Sequence, residues 1–287
     1  MAYGLSATRL RRYGSHMTTE GNVAVVTGAA SGIGLATIHR LARMGFHTIA
    51  IDRDQTALAD LLPSLAGGGH RCLVADVTDT DQVRRAFDDI AATEGRLDFL
   101  FLSAGIARSG HWEDIGLDAN LAMVDVNIGG VLRCLDAAFP LLVDTAGSTV
   151  VIMASASAMT GVPSFATYAA TKHAVAALSE ALAVEWKRYD ISVYDVWVSF
   201  VDTPMGQQVA DSPAATRLGV KVRPERVADV VVSVVAPTKS PVHLLVGWDL
   251  KFASGLTRRL PVKLNQRIAH WIHKYPRRAD PSSAHEH

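Results

Sequence analysis

A chain of 287 residues with 49% hydrophobic and 20% charged side chains buries a large core, which excludes a disordered or fibrous protein for its bulk. Its 28 lysines and arginines equal its 28 aspartates and glutamates, so it lacks the overall basic charge expected of a dedicated nucleic-acid binder. The zero is uneven: residues 1–17 and 256–278 carry ten basic residues and no acid, which leaves 18 basic against 26 acidic residues between 18 and 255, a net charge of −8.

Strand and helix alternate from residue 22 onward. A β-branched run at 23–26 predicts a strand. A glycine-rich turn and an amphipathic helix over 33–44 follow, with Gly45 placed to end the helix. The pattern continues with a strand over 47–51, a helix over 55–65, a Gly67-Gly68-Gly69 turn, a strand over 71–75, a helix over 80–92 and a strand over 99–102. A helix around 120–145, a strand over 148–154, a helix over 166–188 and a strand over 191–197 come next. Pro224 opens another helix and a last strand spans 242–246. Strands that read as continuous apolar runs are covered on both faces, so the expectation is one α/β domain with a doubly wound parallel sheet.

Cys72 and Cys134 are too few for a disulfide framework and lack zinc-ligand spacing. The apolar runs are short and fall below the roughly 18 residues of a membrane span. Arginines near the N-terminus are not followed by an apolar signal core, so a cytoplasmic protein is expected. Gly14-Ser15-His16-Met17 reads as a cloning scar or as residues ahead of a start at Met17, and residues 1–17 are set apart as an N-terminal extension. The catalytic unit is expected over 18–255, and a basic amphipathic extension with a disordered tail over 256–287.

Thr27-Gly28-Ala29-Ala30-Ser31-Gly32-Ile33-Gly34 joins the first strand to the first helix. Small residues there let the backbone approach a ligand, and the helix N-terminus offers N–H groups and a positive dipole end to a pyrophosphate. Asp52, at the end of the second strand, can accept both adenosine ribose hydroxyls and would repel a 2′-phosphate. This favours NAD, with Arg53 beside it leaving NADP open. Asp52 reads alternatively as a helix cap ahead of Gln55, and Asp76 as an adenine contact or a cap.

Tyr168 and Lys172 share one helix face at i,i+4 spacing. A tyrosine works as an acid or base near neutrality only if its pKa of about 10 falls by roughly 3 units, and a neighbouring ammonium is a direct means to that. The spacing alone arises about 0.15 times by chance in such a composition. Ser155, just past an apolar strand and 13 residues before Tyr168, adds a hydroxyl that could polarise a carbonyl. Ser157 and Ser164 are its competitors.

Taken together, the Thr27–Gly34 turn, Asp76, Asn127 in Val126-Asn127-Ile128-Gly129, and Ser155 with Tyr168 and Lys172 resemble the short-chain dehydrogenase/reductase family over about residues 20–250. Val201-Asp202-Thr203-Pro204-Met205 extends the match. The resemblance implies a Rossmann-like fold of about seven strands and an NAD(P)-dependent oxidoreductase that interconverts an alcohol and a ketone without a metal. It implies that Tyr168 exchanges the proton, Ser155 orients the oxygen, Lys172 lowers the tyrosine pKa and holds the nicotinamide ribose, and Asn127 keeps a relay water. It further implies cofactor contacts from Gly28, Ser31, Gly32, Ile33 and Gly34, from Asp52, Asp76 and Val77, from Ser103, Ala104 and Gly105, and from Thr203. Ser103 stands where the family usually has asparagine, and Ser199-Phe200 where it usually has Pro-Gly. These two departures motivate an alternative, a non-catalytic dinucleotide-binding sensor or scaffold.

Residues 205–222 correspond to the family's variable substrate lid. Trp112, Met159, Val162 and Phe165 join Phe200, Val209, Leu218 and Val220 as candidates for an apolar pocket. A small hydrophobic alcohol or ketone, lipid-, steroid- or retinoid-like, is the expected substrate, with Arg108 and Arg217 held open as partners for an anionic group. The cationic amphipathic segment 256–278 either packs on the acidic body, docks on a partner subunit or touches an anionic membrane as a peripheral contact. The resemblance implies a homodimer or homotetramer built on the helices near 128–145 and 166–188.

Overall fold

The fold is described from a computed structural model that covers residues 21–220, 222–235, 240–247, 250 and 261–273. The expectations for residues 1–17, 256–260 and the tail after Arg277 concern segments outside the described residues. The order is β1 (Val23–Thr27), α1 (Gly32–Arg43), β2 (His47–Asp52), α2 (Gln55–Leu61), β3 (Arg71–Val74), α3 (Thr80–Thr93) and β4 (Phe99–Leu102). A short α4 (Trp112–Ile115) precedes α5 (Leu117–Val124), a π turn (Asp125–Gly129) and α6 (Gly130–Asp144). Then come β5 (Thr149–Met153), α7 (Ala166–Glu185), β6 (Ser192–Trp197), α8 (Pro204–Gln208), α9 (Pro213–Leu218), α10 (Pro224–Val231), β7 (His243–Leu245) and α11 (Val262–His273).

All strand pairs are parallel and the sheet order is β3-β2-β1-β4-β5-β6-β7. The order reverses between β1 and β4, and a doubly wound sheet binds its ligand at that switch point, outside the carboxyl ends of the strands. The apolar runs alternate between two cores. Val25, Ile49, Leu100 and Val150 face α3, α6 and α7, whereas Val26, Ala50, Phe101 and Val151 face α1, α2 and α10. Both faces are covered, which is why β1, β4 and β5 are apolar apart from Thr27 and Thr149 at their ends.

Residues 117–144 run as one continuous helix, with α5 and α6 joined through the π turn. Contrary to the sequence expectation, this helix is long and apolar enough to cross a membrane by length and composition alone. Its inward side, including Val131, Cys134, Leu135 and Ala138, belongs to the core against the sheet.

Candidate active site

Close backbone approaches hold the first turn in place. Gly28 has φ of +65°, and a Cβ on it would fall 2.7 Å from the Cα of Ala104. A Cβ on Gly34 would fall 2.1 Å from the carbonyl oxygen of Gly28. The β1 turn is thereby pressed onto the turn after β4. Ser31, Gly32 and Ile33, at the start of α1, line a cleft of about 520 Å³. Ser31 stands at the N-cap position with no side-chain capping bond, so the first N–H groups of α1 remain available to an anion.

The cap alternatives are resolved at the adenosine end. Asp54 caps α2, accepting from the N–H of Ala57 at 3.0 Å. Asp52 instead accepts from Ala30 N–H at 3.0 Å and Asp54 N–H at 3.1 Å, which positions its carboxylate at the wall of the cleft. In the next loop Asp79 caps α3, while Asp76 holds the N–H and hydroxyl of Thr78 at 2.9 and 2.7 Å. Asp76 and Val77 also line the cleft. Arg53 is largely exposed there, its guanidinium 3.9 Å from Asp76.

Ser103, Ala104 and Gly105 continue the cleft wall past β4. Thr203 caps α8, its hydroxyl accepting from Gly206 N–H at 3.0 Å. Its methyl lies 3.1 Å from the place a Cβ on Gly32 would take, so Thr203 reaches the first turn from across the cleft.

The π turn carries Asn127 inward. Its Oδ1 accepts from Ile106 N–H at 2.9 Å, and its Nδ2 donates to the Ile106 carbonyl at 2.9 Å and to the Thr171 hydroxyl at 3.1 Å. Thr171 in turn donates to the Tyr168 carbonyl at 2.7 Å. Asn127 is therefore a buried tie between the loop after β4 and α7. Gly105 lies between it and Lys172, since a Cβ there would stand 3.2 Å from Asn127 Oδ1 and 3.8 Å from Lys172 Nζ.

Ser155, Tyr168 and Lys172 meet at the far end of the cleft. The Ser155 hydroxyl accepts from Ser157 N–H at 3.1 Å and sits close enough to the Tyr168 phenol to favour its ionised form. Ser157 lines the cleft as well, and Ser164 does not. Lys172 is buried, and its ammonium donates to the Met153 carbonyl at 2.7 Å and lies 5.6 Å from the centre of the Tyr168 ring. Burial pulls the Lys172 pKa down to about 8. Burial pushes the Tyr168 phenol up, against the opposing effect of Ser155.

Beyond Tyr168 the wall is aromatic and aliphatic. Phe165 meets Tyr168 and Phe200 with ring centres 6.1 and 6.2 Å apart, and Val162, Met205 and Val209 pack around them. Three of the pocket candidates are corrected. Trp112 is 61% exposed on α4 and does not line the cleft. Val220 does not line it either, and Met159 lines only a neighbouring cavity. Arg108 and Arg217 are exposed and outside the cleft. The Leu218 side chain lies outside the described residues.

The sequence matches the short chain dehydrogenase family over residues 22–214. The chain belongs to that family. It is 31% identical over 243 residues to D-threitol dehydrogenase of Mycolicibacterium smegmatis, covering 83% of this chain and 94% of the relative. It is 31% identical over 189 residues to a 3beta-hydroxysteroid dehydrogenase of Mediterraneibacter gnavus, covering 65% and 68%. A short-chain dehydrogenase/reductase from Burkholderia phymatum, solved in complex with NAD, superposes with a TM-score of 0.75 at 25% identity, covering 84% and 94%. Membership makes this short-chain dehydrogenase an oxidoreductase acting on a CH–OH group, with a small alcohol or ketone as substrate and a nicotinamide dinucleotide as cofactor.

The sequence reading missed part of the cleft. Leu250 and, from α11, Asn265, Ile268 and Ala269 line it, beyond the family match. For the α11 residues the only signal was the amphipathic character of 256–278, which shows that a face seeks an apolar partner but not which one, and Leu250 had no signal.

Proposed function

We propose that this short-chain dehydrogenase uses NAD(H) to interconvert a hydrophobic secondary alcohol and its ketone, with Tyr168 as general acid and base. The observation that carries the reading is the convergence of Ser155, Tyr168 and the buried Lys172 on one cleft beside an apolar wall. In reduction, the Tyr168 hydroxyl donates its proton to the substrate oxygen, while Ser155 holds that oxygen and stabilises its developing negative charge. Lys172 keeps a positive charge beside the phenol and reaches toward the ribose position. Asn127 fixes α7 against the loop after β4, so that these groups keep their spacing. A relay water at Asn127 is part of the same proposal.

The residues present fit the dinucleotide. The N–H groups at the start of α1 would hold the pyrophosphate, Asp52 the adenosine ribose, Asp76 and Val77 the adenine, and Thr203 the carboxamide. Gly28, Gly34, Ser103, Ala104 and Gly105 would shape the bed beneath it. When bound, the cofactor supplies or accepts the hydride and, oxidised, a positive charge beside Tyr168. Asp52 is the reason for choosing NAD over NADP: its carboxylate lines the cleft and is taken up only by backbone N–H groups, so it can accept ribose hydroxyls and repel a phosphate. Arg53 weakens that preference without reversing it.

A lipid-, steroid- or retinoid-like substrate is supported by the lining. The charged side chains in the cleft, Asp52, Arg53, Asp76 and Lys172, belong to the cofactor and catalytic ends, and none among the described residues lines the pocket beyond Phe165. We further propose a catalytic domain over 18–255, a lid over 205–222 built on α8 and α9, and an extension over 256–287 whose α11 returns to the cleft. A homodimer or homotetramer is supported by exposed Leu121, Val124 and Leu132 on α5 and α6 and Val184 on α7. A cytoplasmic setting is supported by two unpaired cysteines. Peripheral contact of α11 with an anionic surface is supported by exposed Lys263 and Arg267 beside Leu264.

The sensor alternative needs the cofactor bed but has no use for Ser155, Tyr168 and Lys172 together. Screening hydrophobic ketones and secondary alcohols with NAD(H) and NADP(H) separates the two. Turnover lost in Tyr168→Phe supports the enzyme. Saturable cofactor binding with no turnover across the panel would support the sensor.

A further inference from the structure

α11 lies wholly beyond residue 214, where the family match ends, yet it forms a roof over the substrate end. It packs on the lid helix α9 and faces the loop 159–163 across a second cavity. The two cavities abut. Thr160, Gly161 and Pro163 on the loop and Asn265 and Ala269 on α11 line both, and Met159, Gln266 and His270 line only the second. The shared boundary carries little side chain: Ala269 has only a methyl group and Gly161 none, and a Cβ on Gly161 would meet no atom within 4 Å.

We propose that this second cavity is a distal subsite for the substrate. The substrate is then an elongated, uncharged secondary alcohol or ketone, apolar in the middle and bearing a hydrogen-bonding group at the end remote from the reacting carbon. The proposal rests on the oxidoreductase reading above and deepens it. The reacting oxygen is held at Ser155 and Tyr168, and the apolar middle passes Val162 and Phe165. The chain threads between Gly161 and Ala269, and its far end meets the amide of Gln266 and the ring of His270. A charged end would gain no ion pair there, because neither carboxylate nor lysine nor arginine lines the second cavity among the described residues.

The test uses the full-length protein with NADH and three substrates: a short methyl ketone, a long-chain methyl ketone and its ω-hydroxylated analogue. In the wild type, kcat/KM is expected to rise in that order. Ala269→Leu fills the shared boundary from α11, and Gly161→Leu fills it from the facing loop. Each is expected to lower the ratio of long-chain to short-chain kcat/KM by about ten-fold or more, with NADH binding by fluorescence reporting an intact fold. Gln266→Ala is expected to remove the advantage of the ω-hydroxyl and leave the length preference. A length profile identical in the wild type and in a boundary variant that still binds NADH would overturn the subsite while leaving the oxidoreductase reading standing. No turnover of even the short ketone by the wild type would overturn both.

Discussion

The ammonium of Lys172 donates to the carbonyl oxygen of Met153 across 2.7 Å, fastening α7 to the carboxyl end of β5. One contact thus joins the helix that carries Tyr168 to the strand that leads into Ser155. It also commits a positive charge to the interior, and burial brings its pKa to about 8 from an ordinary 10.5.

That charge has a cost that pH exposes. Because the folded pKa lies below the unfolded one, the unfolded chain binds the proton more tightly between about 8 and 10.5. The contribution of Lys172 therefore makes stability rise with pH through that window, and below it the penalty is full, on the order of 3 kcal/mol. Lys172→Met is expected to have its largest stability advantage, relative to wild type, near neutrality and to lose it toward alkaline pH, although the Met153 carbonyl is left unpaired throughout. Urea midpoints measured from neutral to alkaline pH check this. A stability difference that does not change with pH would contradict it. Activity of the variant should fall by about a hundred-fold or more.

Tyr168→Phe keeps the ring that packs against Phe165 and removes only the hydroxyl. Its kcat is expected to fall by about a thousand-fold while NADH affinity changes by less than about two-fold. Steady-state kinetics paired with fluorescence titration reads both. An equal loss in affinity and turnover would indicate a structural role for the hydroxyl instead.

Asp52→Asn removes the charge and keeps one of the two oxygens, so one of the N–H groups of Ala30 and Asp54, which bond to separate oxygens, loses its acceptor. With Arg53 exposed nearby, affinity for NADPH relative to NADH is expected to rise about ten-fold, roughly 1.4 kcal/mol. Titration with the two reduced cofactors decides it, and tighter NADPH binding by the wild type would already reverse the cofactor assignment.

Asn127→Leu deletes bonds to both backbone groups of Ile106 and to the Thr171 hydroxyl. Orphaning these groups is expected to cost about 2–4 kcal/mol and to lower activity by loosening the loop that carries Gly105. Thermal unfolding and kcat report the two effects together, and an unaltered melting temperature would remove Asn127 from its structural role.

Much of this was legible before any coordinates. The apolar runs gave the parallel sheet because a strand covered on both faces needs no polar side chain, and the glycine turn, Ser155, Tyr168 and Lys172 lie where strands and helix place them. Three things were not legible. A carboxylate near a helix start reads equally as cap or ligand contact, and only the hydrogen bonds gave the caps to Asp54 and Asp79 and left Asp52 and Asp76 in the cleft. The i,i+4 spacing places Lys172 on the face of Tyr168, but it does not show that Lys172 is buried or that its ammonium also holds the Met153 carbonyl. Finally, Asn265 and Ala269 reach the cleft from a helix far along the chain, a contact that local periodicity cannot encode.

The central claim, proton transfer by Tyr168 coupled to direct hydride transfer, is tested most directly with NADH deuterated at the carbon that gives up the hydride. Mass spectrometry of the alcohol formed from a hydrophobic ketone should show one deuterium at the new carbinol carbon with the wild type, and almost none with Tyr168→Phe in the same time. Alcohol without the label, or equal labelling by the two proteins, would contradict the account.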